Sequence, residues 1–180
     1  MKLRKHYILN KIIFSWIVLP SLIISLIIYY LLIPPMNPKS ILIYTQKSNY
    51  PNIVLKISSL PLAFASLLKF KSKSFAALPS TRLNIEWSLK NAKFLIIGTH
   101  GRNGGLITDD GGWIGPDNQI NNKLKLAYFG TCYFGDKRSK WQLKFPKAKL
   151  IGYDKLTYPW DGWQYLALQS WIDLLKIDYR

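Results

Sequence analysis

Two apolar runs, about thirty residues apart, each stop at a reactive side chain. The first is Phe94-Leu95-Ile96-Ile97-Gly98-Thr99-His100-Gly101, and the second is Leu124-Lys125-Leu126-Ala127-Tyr128-Phe129-Gly130-Thr131-Cys132. A thiol becomes a strong nucleophile only as its thiolate, and a neighbouring imidazole promotes that form by accepting or balancing the proton. Cys132 is the chain's single cysteine, and His100 is the single histidine beyond His6. Gly101 leaves room for a substrate backbone, and its N–H together with that of Cys132 can hold an oxyanion. The set amounts to a hydrolase site made of base, nucleophile and two donors.

Other chemistries fit less well. One cysteine permits no intramolecular disulfide, and one Cys with one His cannot build an ordinary structural zinc site. No metal or cofactor is expected. The glycines at 98, 101, 104 and 105 do not spell G-x-G-x-x-G, so a dinucleotide loop is not indicated. Papain-like enzymes place the cysteine before the histidine, the reverse of the order found here.

The two runs work together only if they are neighbouring parallel strands, whose carboxyl ends form the ligand edge of an open α/β sheet. Around them, Ile41 to Tyr44 reads as a strand and Asn52 to Ile57 as a second element of open type. Ser58 to Ser74 is ambiguous: Leu60, Phe64, Leu67 and Leu68 fall near helical spacing, with Pro61 confined to a first turn. Ser80 or Thr81 can cap a helix carrying Leu83 and Trp87. Leu106 to Ile114 reads as a hairpin whose Asp-Gly-Gly supplies positive φ, followed by a turn and a short helical piece. A basic, aromatic-rich loop is expected after Cys132, then a strand over Ala148 to Gly152. Trp163, Leu166, Ala167, Ser170, Trp171, Leu174 and Leu175 keep amphipathic helical spacing, entered through Pro159 and Asp161, and this helix should cover one sheet face.

Ile12 to Ile33 is 22 residues without a formal charge, closed by Pro34-Pro35. At about 1.5 Å per residue that length spans a hydrocarbon core of about 30 Å, so the segment is expected to be a single transmembrane helix. Its apolar core is longer than a signal peptide's, and no small-x-small cleavage site follows. The basic residues 1–11 then lie in the cytosol, with 34–40 a linker and 41–180 one compact domain on the far side. Of 25 Lys plus Arg against 9 Asp plus Glu, four basic residues precede the anchor, leaving the domain strongly cationic. Lys69, Lys71 and Lys73 cluster, as do Lys137, Arg138 and Lys140 beside Trp141. Contact with anionic lipid is the simplest partner for such a surface, and no specific nucleic-acid module is visible.

Thr99-His100-Gly101 ending one strand, Asp110-Gly111 in a hairpin turn, and Gly130-Thr131-Cys132 ending the next core strand resemble the caspase-like cysteine peptidase clan. The CHAT branch, with its His-Gly and Ser-Ala-Cys signatures in this order, is nearest, although Thr131 stands where that signature has alanine. The resemblance implies a caspase-like α/β three-layer sandwich with a mostly parallel sheet, His100 as general base, Cys132 as nucleophile, and the Gly101 and Cys132 amides as oxyanion hole. Only 48 residues follow Cys132, the part in which such enzymes build much of their substrate pocket. Asp154 and Asp161 are candidates to receive a basic substrate side chain. The expected function is a membrane-anchored, CHAT-type cysteine peptidase or related thiol hydrolase acting on a peptide or protein. Its alternative is an inactive caspase-like domain serving as an anchored binding or scaffold module, and a third is a small cationic membrane protein unrelated to peptidases.

Overall fold

A strand buried on both faces needs apolar residues at every position rather than at alternate ones. Three segments, apolar throughout but for Ser40, meet this need and form the sheet centre: β1 (Ser40–Tyr44), β3 (Phe94–Gly98) and β7 (Leu126–Phe129). The computed structural model describes residues 14–47, 52–118, 121–153 and 164–178. With β2 (Phe75–Pro79) and β8 (Lys149–Gly152) at the edges, the order is β2-β1-β3-β7-β8, and every neighbouring pair is parallel.

Alternation divides the side chains into two cores. Ile41, Ile43, Leu95, Ile97, Ala127 and Phe129 pack with Ile85 and Leu89 of α4 (Arg82–Asn91), and with Trp141 of α5 (Arg138–Lys144) and Phe145 just after it. Leu42, Phe94, Ile96, Leu126 and Tyr128 pack with Leu62, Ala63 and Ala65 of α3 (Leu60–Phe70), and with Leu166 and Leu174 near the C-terminus. Helices therefore cover both sheet faces, giving a three-layer α/β/α arrangement.

The ambiguous stretch is helical. α2 (Asn52–Ser58) is followed by α3, which carries Pro61 in its first turn and ends at Lys71 with φ 51°. Thr81 caps α4, its hydroxyl accepting from the Asn84 N–H at 3.3 Å. Two elements depart from expectation. β2 escapes pattern reading because Phe-Ala-Ala-Leu-Pro has neither alternation nor β-branched residues, and its place is secured by pairing with β1. The segment after Cys132 is helical rather than a loop, because Trp141 and Phe145, one turn apart, drive its basic sequence onto the core. The C-terminal element runs as a π-helical turn, Tyr165–Gln169, into α6 (Ser170–Lys176), whose residue Leu174 seals the second core. Pro159, Asp161 and Trp163 lie outside the described residues.

At the N-terminal side a π-helical turn, Phe14–Val18, runs into α1 (Leu19–Leu32), with Pro20 in its first turn. Proline has no N–H to offer the carbonyl of Trp16, which accounts for the widened turn there. Among the described residues no helix is long and apolar enough to cross a membrane, so the expected single span over 12–33 is not present as one regular helix. α1 and the turn before it are nevertheless apolar and outward-facing: Trp16 is 78% and Leu26 58% exposed. Ser21 and Ser25 donate their hydroxyls back to the carbonyls of Ile17 and Ser21, at 2.7 and 2.8 Å.

Candidate active site

β3 and β7 are hydrogen-bonded neighbours in register from Phe94↔Leu126 to Ile97↔Phe129. The ladder continues past the strand ends, where the Gly130 N–H donates to the Ile97 carbonyl at 2.7 Å. Thr99-His100 and Thr131-Cys132 thus follow directly on neighbouring strands, which themselves lie about 4.8 Å apart. The structure delivers the two reactive segments to one carboxyl edge.

Beyond β3 the chain builds a second, antiparallel sheet from β4 (His100–Arg102), β5 (Gly105–Ile107) and β6 (Trp113–Ile114). The β4–β5 connection is Asn103-Gly104, with φ of 53° and 66°. Positive φ at both central residues is the signature of a type I′ turn, for which Asn-Gly is the favoured pair. Its closing pair, Arg102 and Gly105, is hydrogen-bonded, and the alternation of an antiparallel ladder then makes Gly101/Leu106 a non-hydrogen-bonded pair. The Gly101 N–H is therefore not spent on β5. Asn103-Gly104 was legible in the sequence, although only the later Asp-Gly-Gly turn stood out there.

Gly101 touches Cys132 directly. A Cβ placed on Gly101 would lie 2.9 Å from the Cys132 nitrogen and 3.1 Å from its carbonyl carbon, and closer still to its carbonyl oxygen. Only glycine permits this approach, and the space expected to admit a substrate backbone is taken by the backbone of Cys132 itself, which sets the two proposed oxyanion donors close together. His100 is exposed at the first position of β4, and Cys132 is partly exposed. Between strand and hairpin, the buried Thr99 hydroxyl donates to the Ile107 carbonyl at 2.5 Å and pins the exit. On the other side Thr131 is buried, and Tyr133 adopts φ 57° before a 3-10 turn, Phe134–Lys137, leads into α5.

A second clamp reinforces the first. The buried Trp141 indole donates to the Gly104 carbonyl at 2.8 Å, and a Cβ on Gly104 would press on Lys137 at 2.8 Å. The His-bearing hairpin is held at both ends by the segment that carries Cys132.

Asp109 and Asp110 fasten the other flank. Asp109 accepts from the Thr45 hydroxyl at 2.6 Å and the Gln46 N–H at 2.8 Å, and its own N–H donates to the Ser80 carbonyl at 2.8 Å. Burial pushes its carboxyl up, but the bonds from Gln46 and Thr45, with the nearby Ser80 hydroxyl and the Lys47 charge, hold it below the usual carboxylate range. Ser80 lies close without completing a hydrogen bond. Asp110 accepts from the Arg82 N–H at 3.2 Å, at the start of α4. The two acids of the turn thus tie the hairpin to the carboxyl ends of β1 and β2, through Asp109, and to the start of α4, through Asp110.

An open cleft of about 390 Å³ lies on the hairpin, lined by Arg102, Asn103, Ile107, Gly111, Gly112 and Trp113. Neither His100 nor Cys132 lines it, although Ile107 is the cross-strand partner of His100. Trp113 is held by its indole N–H bond to the Arg102 carbonyl at 3.1 Å and by the Lys137 ammonium, 4.9 Å from its ring centre. Sequence reading did not single out Arg102 or Trp113 as site residues, since only the hairpin register juxtaposes them. Asp154 and Asp161 lie outside the described residues.

No protein-family model, curated protein or solved structure matches this chain.

Proposed function

We propose that this protein is a caspase-like, CHAT-type cysteine peptidase or related thiol hydrolase, held at a membrane through residues 12–33. The observation that carries the reading is the seating of Gly101 on the Cys132 backbone, just beyond the carboxyl ends of two adjacent parallel strands, β3 and β7. In the reaction the Cys132 sulfur attacks the substrate carbonyl carbon while the His100 imidazole takes the thiol proton. The carbonyl oxygen becomes an oxyanion facing the Gly101 and Cys132 N–H groups. Collapse expels the amine, which receives the proton from His100, and leaves a thioester that water hydrolyses to release the acid and restore the thiol. The apolar, outward-facing α1, its serine hydroxyls satisfied within the helix, supports the anchor. The basic N-terminus is then cytosolic and the domain lies on the other side.

The test is alkylation of Cys132 by iodoacetamide at about pH 6–7, where an imidazole-assisted thiol outpaces a simple one. We expect His100→Ala to remove the advantage and a peptide electrophile to label the wild type. Equal rates in the two proteins would exclude the dyad. A second reading, an inactive domain acting as an anchored binding or scaffold module, draws support from the hairpin cleft, which excludes both dyad residues. It requires Cys132→Ser to retain full cellular function.

A further inference from the structure

The edge of the sheet opposite the candidate site carries a row of lysines. β1 begins one residue after Lys39, β3 one residue after Lys93 and β7 one residue after Lys125, while β8 opens on Lys149. These backbones are bonded to one another: the Lys93 N–H donates to the Lys39 carbonyl at 2.8 Å, Lys125 to Lys93 at 2.9 Å, and Lys149 to Lys125 at 2.9 Å. Carrying the strand register back one residue aligns Lys39, Lys93 and Lys125 at steps of about 4.8 Å. In the sequence Lys73 stands two residues before β2 and Lys147 two residues before β8. Like charges on neighbouring strands repel one another, and an anionic surface laid against the row would offset that cost.

The row lies where the apolar helix joins the sheet. α1 ends at Leu32, and the next seven residues lead to Lys39 and the start of β1. α1 also meets α3 and β2, and the Lys39 ammonium sits 5.1 Å from the Phe70 ring centre at the end of α3. An exposed apolar helix therefore enters the domain through its most regular line of positive charge.

We propose that the amino edge of the sheet docks onto the anionic phospholipid headgroups of the bilayer that holds residues 12–33. Docking would set the candidate site at the far edge, one strand length or about 17 Å from the headgroups. The inference rests on the anchor reading and is independent of the His100–Cys132 chemistry.

The test uses the full chain in vesicles of phosphatidylcholine alone or mixed with phosphatidylserine. A fluorophore is placed on an Asn122→Cys, Cys132→Ser protein, at the exposed turn before β7, and a quencher is carried on the lipid. We expect strong quenching only with phosphatidylserine, relieved by about 0.5 M salt, where charge interactions are screened within a few ångströms. The Lys39→Gln/Lys93→Gln/Lys125→Gln protein should lower the docked-to-undocked ratio about a hundredfold, at about fivefold per lysine. Circular dichroism checks its folding, and single Lys93→Gln and Lys125→Gln proteins provide the comparison if the triple does not fold. Flotation with both vesicle types but equal quenching overturns the docking alone. Absence from both vesicle fractions overturns the anchor and the docking with it. An oligonucleotide that displaces the domain from anionic vesicles at lower concentration than soluble headgroup assigns the row to nucleic acid and overturns the proposal.

Discussion

The two edges of the parallel sheet are built from opposite materials. At the amino edge the central strands are preceded by lysines, long side chains that can reach solvent or headgroups. At the carboxyl edge β3 and β7 exit through Gly98 and Gly130, and the following residues are packed under a hairpin so closely that Gly101 has no room for a methyl group. Long cationic residues mark the edge where the strands begin, half-buried and, at Lys39, laid over the Phe70 ring. Small residues mark the edge where two backbones must touch, which is the condition that the proposed dyad requires. Variants of the carboxyl edge should therefore damage both stability and thiol chemistry, whereas those of the amino edge should spare both.

The largest effect is expected at Trp141, which joins the hairpin to the core. It is fully buried, its ring centre 5.3 Å from that of Phe129 and 6.0 Å from that of Phe145, and its indole N–H satisfies the Gly104 carbonyl. Trp141→Ala should lose about 3–5 kcal/mol in urea unfolding from the cavity it leaves. Trp141→Phe, which keeps a ring but not the donor, should cost less, about 1–2 kcal/mol. If Trp141→Phe costs nothing, the indole bond to the hairpin contributes nothing.

Gly101→Ala acts on the contact between the reactive segments themselves. Its methyl group would overlap the Cys132 backbone, so the hairpin must retreat, at a cost of about 1–3 kcal/mol. For a domain of this size that is a fall in melting temperature of about 2–4 °C per kcal/mol. Iodoacetamide reactivity should fall towards that of the His100→Ala protein. A variant that melts lower but reacts as fast would break the link between this seat and thiol chemistry.

Much of this edge was legible because its signals are local. Apolar runs ending in His-Gly and Thr-Cys marked β3 and β7, Thr81 marked the start of α4, and Asp-Gly-Gly marked the β5–β6 turn, each through residues whose conformational preferences act within a few positions. What pattern reading missed depends on tertiary context. β2 is a strand because β1 offers it a ladder, and α5 is helical because Trp141 and Phe145 find a core. The role of Asp109 was hidden for the same reason, since its partners Thr45 and Gln46 lie more than sixty residues away. The amino-edge row was present as scattered lysines, and only strand register turns them into a line.

Asp109 offers the smallest and most specific test of how the carboxyl edge is held. Its folded-state acidity is raised because the carboxylate, despite partial burial, accepts from Gln46 and Thr45 and faces Lys47. A group whose folded pKa lies below its unfolded value contributes stability above the unfolded value and loses it as pH falls through the folded one. Asp109→Asn should therefore cost about 1 kcal/mol at neutral pH, the size of a charge-assisted bond replaced by a weaker neutral one. The difference between wild type and variant should stay level from about pH 8 to 5 and shrink below about pH 4, where ordinary carboxylates protonate. Urea unfolding across that range measures it. A difference that persists undiminished in acid would mean that Asp109 holds β1 by its shape rather than its charge. The lysine-to-glutamine changes at the amino edge remove no carboxylate, so their stability profiles should run parallel to the wild type through the same acid range.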